Sequence, residues 1–303
     1  MKKVIVLLST YNGEQYLLEQ LESLREQQDV DISVQIRDDG SKDDTLSILK
    51  SYCSKYENFS YYSGQNVGPA NSFLDLVSNA GDADYYALCD QDDVWEKDKL
   101  IHAVEILEFN KKDIPKLYHS NLKIVDSNLN FCRYGDKRRG KTSRYNGFVE
   151  SICTGCTMVF NSKLKVLLEK RHPVKITMHD TWIYMVCKIF GEVIYDDNAY
   201  ILYRQHGHNV IGMNQEKESG LSGKSLMSRI KNKKRQPRKM NAASFIECYG
   251  DVVSKKDKAK IEKLIKYDSN ILSKLILFFD ISIRASSLKA EMQYRASIIF
   301  GVV

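Results

Sequence analysis

The 303-residue sequence lacks the features that define several protein classes. It has only 4 Pro and 16 Gly, with 43% hydrophobic residues, which excludes collagen-like and wholly disordered chains. No apolar run reaches the ~18 residues that a membrane-spanning helix needs. The apolar run Val4–Leu8 is shorter than the ~7–15 residues of a secretory signal core, and no cleavage site follows it. We therefore expect a globular protein that stays in the cytosol.

The sequence also lacks a disulfide or zinc framework and the glycine-rich motifs of two common nucleotide-binding sites. The seven cysteines are odd in number and scattered, which argues against a disulfide framework. Cys153 and Cys156 have C-x-x-C spacing, but no second ligand pair completes a structural zinc site, so we interpret them as reduced packing residues. Neither G-x-x-x-x-G-K-[ST] nor G-x-G-x-x-G follows the first apolar run, which excludes the P-loop and Rossmann dinucleotide sites.

The positive charge is concentrated in one segment. The chain has a net charge of +6, and Lys224–Lys239 contains eight basic residues and no acidic one. This segment therefore carries more than the whole positive excess. It lacks aromatic residues, which argues against an RNA-binding platform, and we expect no nucleic-acid partner.

Alternating apolar runs and helical periodicities dominate the first 125 residues. Helical spacing begins at Leu17, at Ser41 through a Ser-x-x-acid start, at Pro69 and at Asp98. The strands predicted between these helices are Val4–Leu8, Ser33–Arg37, Phe59–Ser63, Tyr85–Cys89 and Leu117–Val125. This order predicts an α/β fold with a parallel sheet and right-handed crossovers.

The remainder of the chain is less regular. A strand is predicted over Thr157–Phe160, and an apolar, buried helix over Thr181–Phe190. Two short strands are predicted at Val193–Tyr195 and Ala199–Tyr203. After Gly212 the sequence becomes Lys-rich and helical. We place a boundary near 213–222, between a domain of residues 1–215 and a basic helical C-terminal region of residues 216–303.

Polar clusters follow three of the predicted strands, at Ser9–Asn12, Asp38–Ser41 and Asp90–Asp93. Ligands of open α/β sheets bind at the carboxyl ends of the strands, where these clusters should converge. Three carboxylates within four residues repel one another unless a cation compensates them, and oxygen ligands favour Mg²⁺ or Mn²⁺. The alternative is that each cluster is only a turn.

Six motifs in order carry a family resemblance: VIVLLSTYNGEQYL (4–17), IRDDGSKDDT (36–45), LCDQDDVWEKDKL (88–100), TGCTMVFN (154–161), MHDTW (178–182) and LYRQHGHN (202–209). They resemble family 2 glycosyltransferases of the GT-A fold, and most closely the bacterial rhamnosyltransferase-like branch. The resemblance covers about residues 3 to 212. It implies a Rossmann-like, mostly parallel sheet flanked by helices, with the C-terminal helical region as an appendage.

The resemblance also implies a role for each matching residue. Asp180 falls at the catalytic base of inverting members, whereas Arg204 and Gln205 fall where the family closes over the donor diphosphate. The nucleotide-binding positions are Thr10, Tyr11, Asp39 and Asp90. The metal-binding positions are Asp92 and His206, with Asp90, Asp93 and His208 as weaker candidates.

The implied function is inverting, metal-dependent transfer of a sugar from a UDP- or dTDP-linked donor to a glycan acceptor. The rhamnosyltransferase branch suggests rhamnose, a lipid-linked acceptor and a role in cell-surface polysaccharide synthesis. The basic tail adds a possible anionic membrane partner, the alternative being a helical cap that packs on the catalytic domain.

Two other functions are alternatives to sugar transfer, and single residues also have simpler explanations. A sugar-nucleotide nucleotidyltransferase needs a Gly-rich first loop with a basic residue, which Ser9–Glu14 lacks. A non-catalytic carbohydrate- or nucleic-acid-binding relative should have lost carboxylates that are present here. Taken without the resemblance, Asp180 could cap a helix, and His206 and His208 could be ordinary loop residues.

Overall fold

A curved mixed sheet forms the centre of the protein. The computed structural model describes residues 1–109, 111–136, 142–206 and 236–303. Within them the strands are β1 (Lys3–Thr10), β2 (Asp31–Asp38), β3 (Phe59–Ser63), β4 (Tyr85–Cys89), β5 (Val94–Trp95), β6 (Lys116–Val125), β7 (Phe131–Tyr134), β8 (Val159–Asn161) and β9 (Glu192–Arg204). Their order across the sheet is β3-β2-β1-β4-β8-β6-β9-β5, with β7 paired to β6.

The first half of the sheet confirms the sequence prediction. Strands β1 to β4 pair in parallel, so their carboxyl ends lie at one edge. The second half is mixed, because β8 runs antiparallel to both β4 and β6, whereas β6 and β9 are parallel. The prediction of a mostly parallel sheet is therefore confirmed, since the four longest strand pairings are parallel.

Six helices flank the sheet in the first 206 residues. They are α1 (Leu17–Arg25), α2 (Thr45–Lys55), α3 (Gly68–Asn79), α4 (Lys99–Phe109), α5 (Ser162–Glu169) and α6 (His179–Phe190). Side chains of β1 alternate between the two faces of the sheet. Val4 and Val6 pack with α1, α2 and α4, whereas Ile5 and Leu7 pack with α3, α5 and α6. Both faces are thus covered, as parallel strands require.

Three local predictions were wrong. Ser41 does not start a helix: its Oγ accepts a hydrogen bond from the Asn12 amide at 2.8 Å, and α2 begins later. Residues Gly155–Thr157 form a 3₁₀ helix, so β8 begins later than predicted. The two short strands predicted near residue 200 are one strand, β9, whose register with β6 is irregular.

Within residues 236–303 the structure has four further helices: α7 (Pro237–Tyr249), α8 (Lys255–Lys266), α9 (Ile271–Phe278) and α10 (Leu288–Phe300). Their buried side chains belong to the same hydrophobic cluster as α3, α5 and α6. Phe245 of α7 is completely buried against Phe148, Trp182, Phe190 and Tyr249. The predicted boundary at 215/216 lies outside the described residues.

Polar contacts reinforce this packing. Arg144 Nε and Tyr145 Oη donate to Asp257 Oδ1 of α8 at 3.0 and 2.8 Å. These hydrogen bonds lower the pKa of the Asp257 carboxyl against the opposing effect of its burial. In the part of the chain that the structure describes, no helix combines the length and apolar character needed to cross a membrane.

We predict that Phe245→Ala destabilises the whole protein and not only its C-terminal helices. Removing a buried Phe costs about 3–5 kcal/mol, because transfer free energy is lost and a cavity remains. Chemical denaturation followed by near- and far-ultraviolet circular dichroism should show one shifted transition. Phe109→Ala, at a side chain that is 91% exposed, is the matched control and should cost less than about 0.5 kcal/mol. Two separated transitions would contradict a shared core.

Candidate active site

The polar clusters at the strand ends converge on one cavity of about 380 Å³. It is lined from β1 by Tyr11, from β2 by Asp39, and from β4 by Asp90 and Asp92. The start of α6 completes the opposite wall with Asp180. Five side chains that the sequence singled out, separated by up to 169 positions in the chain, therefore share one site.

The carboxylates after β4 differ in their surroundings. Asp93 is fully buried, and its Oδ1 accepts a hydrogen bond from the Arg204 amide at 3.0 Å. Burial, followed by the charges of Asp92 and Asp90, raises the pKa of Asp93 well above its usual range. Burial and the charges of Asp92 and Asp180 likewise raise the pKa of Asp90 to about 7. The protein thus holds like charges close together at a cost that a cation would offset.

Asp92 and His206 meet at the edge of the cavity. Asp92 Oδ2 and His206 Nε2 lie 2.7 Å apart, although these residues are 114 positions apart in the sequence. The ring of His206 also packs on Tyr16, with centroids 4.9 Å apart. A carboxylate oxygen and an imidazole nitrogen so placed could both ligate a divalent cation. The structure therefore brings together the two residues expected to bind metal.

A second group of possible ligands lies deeper. Ligand atoms of Asp90, Asp93 and Cys156 all lie within 4.8 Å of one another. Cys156 is buried, and burial raises the pKa of its thiol, so the thiolate that a metal would need is disfavoured. The sequence interpretation of Cys156 as a packing residue agrees with its burial. The Asp92 and His206 pair is the better candidate for a hard cation.

Arg204 occupies a different environment from the one its motif implied. Its guanidinium is buried, donates to the Asp92 carbonyl at 2.8 Å and to the Ser127 carbonyl at 2.6 Å, and pairs with Glu19. It also lies 4.4 Å from the centre of the Tyr16 ring. These contacts direct it towards α1 and away from the cavity lining. In this structure Arg204 holds the backbone of the carboxylate turn.

Gln205, in the same motif, is not among the described residues that line the cavity. The Gln205 amide donates to the Val125 carbonyl at 2.9 Å, which extends the pairing of β9 with β6 by one residue. His208 lies outside the described residues. The motif therefore contributes His206, and the preceding Tyr203, to the site.

Asp39 sits at the end of β2 within a tight set of donors. Its Oδ1 accepts from the Val67 amide and its Oδ2 from the Gly68 amide, each at 2.9 Å. Arg37 Nη1 lies 2.5 Å from Asp39 Oδ1, and the pair is almost fully buried. The carboxylate therefore fixes the loop that starts α3, and it lines the cavity at the same time.

Gln91 connects the ends of β1 and β4. Its Oε1 accepts from Thr10 Oγ1 at 2.6 Å and from the Tyr11 amide at 2.8 Å. A Cβ at Gly13 would lie 2.4 Å from the same oxygen, so a larger residue there would displace the Gln91 side chain. Thr10 is buried in this network, whereas Tyr11 is 43% exposed and faces the cavity. Sequence reasoning did not assign Gln91 a role, although it stands inside the acidic motif.

Asp180 lies in the first turn of α6 and is not its cap. Met178 occupies the N-cap position, and Asp180 Oδ1 accepts from the amide and hydroxyl of Thr181. Only 7% of Asp180 is exposed. This burial raises the pKa of its carboxyl to about 6, despite the hydrogen bonds from Thr181. A buried carboxylate with such a pKa, facing a cavity, is suited to accept a proton near neutral pH.

His179 is a cavity residue that the sequence interpretation did not single out. It is 6% exposed and stacks on Phe73, with ring centroids 4.0 Å apart. Neither ring nitrogen has a hydrogen-bond partner within the described part of the chain. Burial lowers the pKa of the imidazole to about 3, so the ring is neutral. Its place beside Asp180 in the motif MHDTW is the signal that could have identified it.

The fold is that of the GT-A glycosyltransferases. The first 349 residues of TarS from S. aureus, in complex with UDP-GlcNAc, superpose with a TM-score of 0.56 at 16% identity, covering 99% of this chain and 82% of that one. A mannosyltransferase from Pyrobaculum calidifontis, in complex with GDP-Man and Mn²⁺, gives 0.56 at 14% identity, covering 98% and 74%. At such low identities these likenesses concern the fold alone.

The chain belongs to glycosyl transferase family 2, whose pattern it matches over residues 5–167, more than half of its length. It is 34% identical over 224 residues to a dTDP-rhamnosyl transferase, RfbG, from Shigella flexneri, covering 68% of this chain and 74% of that protein. An uncharacterized glycosyltransferase from Rickettsia prowazekii is 27% identical over 53% of this chain and 51% of its own length. The protein is therefore a glycosyltransferase, and the rhamnosyltransferase-like resemblance is confirmed.

We predict that Arg204→Met lowers stability more than it lowers affinity for nucleotide. The substitution leaves two carbonyls and the Glu19 carboxylate without their donor, at a cost of about 2–4 kcal/mol. Thermal unfolding with and without UDP, dTDP or GDP separates the two effects. Lys97→Met, which breaks an exposed pair with Glu26, is the control and should cost at most about 1 kcal/mol. Unchanged stability with greatly weakened nucleotide binding would restore Arg204 to the diphosphate.

Proposed function

We propose that this glycosyltransferase moves a sugar from a nucleoside-diphosphate donor to an acceptor hydroxyl, with inversion at the anomeric carbon. The observation that carries the proposal is the single cavity in which Asp180 faces the acidic turn of Asp90 and Asp92. One wall therefore offers a proton acceptor and the other a place for the donor. An inverting displacement needs this division, because nucleophile and leaving group occupy opposite faces of the sugar.

Asp180 is the proposed general base. Its carboxyl is buried at the start of α6, with no arginine or lysine among its described hydrogen-bond partners. A carboxylate in that setting is a stronger base than an exposed one, and a pKa of about 6 leaves it mostly deprotonated at neutral pH. It would remove the proton of the attacking hydroxyl as the new bond forms. A second catalytic carboxylic acid, as glycoside hydrolases use, is not required.

The residues at the acidic turn fit a divalent cation, Mn²⁺ or Mg²⁺. Asp92 and His206 present an oxygen and a nitrogen side by side, and the neighbouring Asp90 adds negative charge. We propose Asp92 and His206 as its ligands. When bound, the ion would neutralise charge on the departing diphosphate. The protein's own contribution is to fix the turn, through the bonds of Arg204 to the Asp92 carbonyl and the Asp93 carboxylate.

Tyr11, Thr10 and Asp39 are proposed to form the nucleotide side of the site. Tyr11 is the exposed ring at the cavity wall, Thr10 holds it through Gln91, and Asp39 supplies a carboxylate beside it. With Asp90 next to them, these residues surround a space suited to a base and a ribose. The diphosphate role expected of Arg204 and Gln205 stays a prediction, because in this structure both residues contact other parts of the chain.

Rhamnose carried on dTDP is the proposed donor, and the similarity to the Shigella flexneri dTDP-rhamnosyl transferase supports it. The proposed acceptor is a lipid-linked glycan of cell-surface polysaccharide synthesis. Such an acceptor would place a cytoplasmic enzyme at the inner face of the plasma membrane. A thermal-shift panel of dTDP-rhamnose, UDP-GlcNAc and GDP-mannose, each with Mn²⁺, Mg²⁺ or EDTA, tests the donor, because a true ligand raises the melting temperature by mass action.

We predict that Asp180→Asn retains donor binding and loses transfer. The amide preserves the shape of the side chain and cannot accept the proton, so kcat should fall by ~10²–10⁴-fold. Calorimetric titration with the donor should give a dissociation constant within a few-fold of wild type. Asp44→Asn, at another helix terminus, is the control and should leave both quantities unchanged.

The pH profile gives a second measure of the same residue. A general base works only when deprotonated, so kcat of the wild type should fall tenfold per unit below about pH 6. The residual activity of Asp180→Asn should lack this acid limb. A product that retains the donor's anomeric configuration, determined by NMR, would overturn the inverting mechanism.

We predict that Asp92→Asn weakens metal binding. Without its carboxylate the site offers one fewer charged ligand, so the added stabilisation by Mn²⁺ in the presence of nucleoside diphosphate should largely disappear. Activity at fixed Mn²⁺ should fall a hundredfold or more, on the order of 3 kcal/mol. Asp43→Asn is an acidic control outside the cavity lining. Full turnover of Asp92→Asn in EDTA would refute the assignment.

A further inference from the structure

The segment from α9 into the following turn leaves large apolar side chains in solvent. Ile271, Phe279 and Ile281 are 79%, 71% and 81% exposed, and Leu272, Leu275 and Ile276 lie between them at 46–63%. Residues 271, 275 and 279 recur every fourth position, with 272 and 276 beside them, so they form one helical stripe. On the opposite side, Leu277 is completely buried.

Helix α10 extends this exposed surface. Leu288, Met292 and Ile299 are 86%, 62% and 61% exposed. The helix runs antiparallel beside α9, since Arg295 Nη1 donates to the Leu277 carbonyl at 3.0 Å, and Gly301 lies next to Lys274. Both helices direct their buried residues into the same core, so their exposed stripes lie on the side away from it. We call these exposed residues of α9, α10 and the turn between them the apolar face.

The exposed charged side chains of α9, α10 and the turn between them are positive, and the acidic Asp268 just before α9 pairs with Lys239. The two acidic side chains of these elements are turned inwards: Asp280 pairs with Lys260 and Lys263, and Glu291 pairs with Arg295. Arg284 and Lys289 are exposed at the border of the apolar face. The face therefore offers aliphatic and aromatic groups to its surroundings, with exposed side-chain charges that are positive.

The combination of apolar side chains and a basic border indicates which kind of partner the apolar face binds. A second copy of the chain would bring two basic borders together, which like-charge repulsion opposes. The apolar groups gain nothing from a polyanion such as nucleic acid. A bilayer with anionic headgroups satisfies both features, since acyl chains accept the apolar side chains and headgroups attract Arg284 and Lys289.

We propose that the apolar face binds the surface of an anionic membrane, with the side chains of Ile271, Phe279, Ile281 and Leu288 entering the headgroup region. The face is joined firmly to the active site. The Arg284 carbonyl accepts from Asn146 Nδ2 at 3.2 Å, and Asn146 Oδ1 accepts from Tyr184 of α6 at 2.9 Å. Helix α6 begins with the turn of Asp180, so membrane attachment would fix the orientation of the proposed base towards the lipid surface.

Vesicle flotation of the full-length protein tests the proposal. Vesicles of phosphatidylcholine alone are compared with vesicles containing 30 mol% phosphatidylglycerol, at low and high salt. We expect binding to the anionic vesicles that weakens as salt rises, because screening reduces the electrostatic contribution. The triple variant Ile271→Ser, Phe279→Ser, Ile281→Ser should bind at least tenfold more weakly. These side chains are exposed, so its melting temperature should match the wild type.

A matched control separates the apolar face from general surface hydrophobicity. Phe109→Ser, Val174→Ser and Phe131→Ser remove side chains that are 91%, 73% and 57% exposed elsewhere, and this triple variant should bind vesicles like the wild type. The double variant Arg284→Gln, Lys289→Gln should retain weak binding with a smaller dependence on salt. Each measurement is made without donor, so its failure would leave the proposed transfer reaction untouched.

Three results would overturn the inference. The first is absence of binding to anionic vesicles at low salt. The second is equal binding by the wild type and the Ile271, Phe279, Ile281 variant, which would assign attachment to another part of the chain. The third is a dimer in light scattering that this variant converts to monomer while vesicles bind neither form, which would make a second copy the occupant.

Discussion

The concentration of negative charge at the end of β4 is the constraint on which the site depends. Asp90, Asp92 and Asp93 would repel one another apart if the turn were free to move. Arg204 holds the turn in place, because its backbone amide donates to Asp93 and its guanidinium donates to the Asp92 carbonyl. The last residue of β9 thus anchors the turn after β4. The same connection brings His206 to Asp92, so the end of β9 both anchors the turn and positions the two proposed metal ligands.

The C-terminal helices support the other wall of the cavity. Trp182 and Phe190 of α6 pack against Phe245 and Tyr249 of α7, which fixes the helix whose first turn holds Asp180. The role proposed for Asp180 as a base requires a precise position, which packing behind the helix supports. The C-terminal helices therefore support the active-site wall, and membrane attachment would be an additional role. Because the same helices support α6 and expose the apolar face, binding of that face to a membrane would orient the active site relative to the membrane surface.

Sequence reasoning predicted the structure correctly where the local composition alone determines whether a segment is buried or lies at a strand end. Continuous apolar runs such as Val4–Leu8 gave the parallel strands, and clustered Asp residues at strand ends gave the cavity. Sequence reasoning failed where contacts with a residue far away in the sequence determine the local structure. β9 was predicted as two strands because Asp196–Asn198 interrupts its apolar pattern, yet pairing with β6 carries it through an irregular register. In the same way, nothing near Arg204 in the sequence reveals its contacts with Glu19 of α1 and with the preceding Tyr16. Its expected role at the diphosphate stays a prediction.

Different hydrogen-bond partners suit similar carboxyl side chains to different proposed roles around one cavity. Asp180 has Thr181 as its described hydrogen-bond partner and is the proposed base, whereas Asp92 lies against His206 and is a proposed ligand of a cation. His179 stands between these functions as a neutral ring stacked on Phe73. Because it carries no charge, it adds nothing to the electrostatic balance between Asp180 and Asp90. The charge of Asp180 therefore raises the pKa of Asp90 with no opposing positive charge from His179.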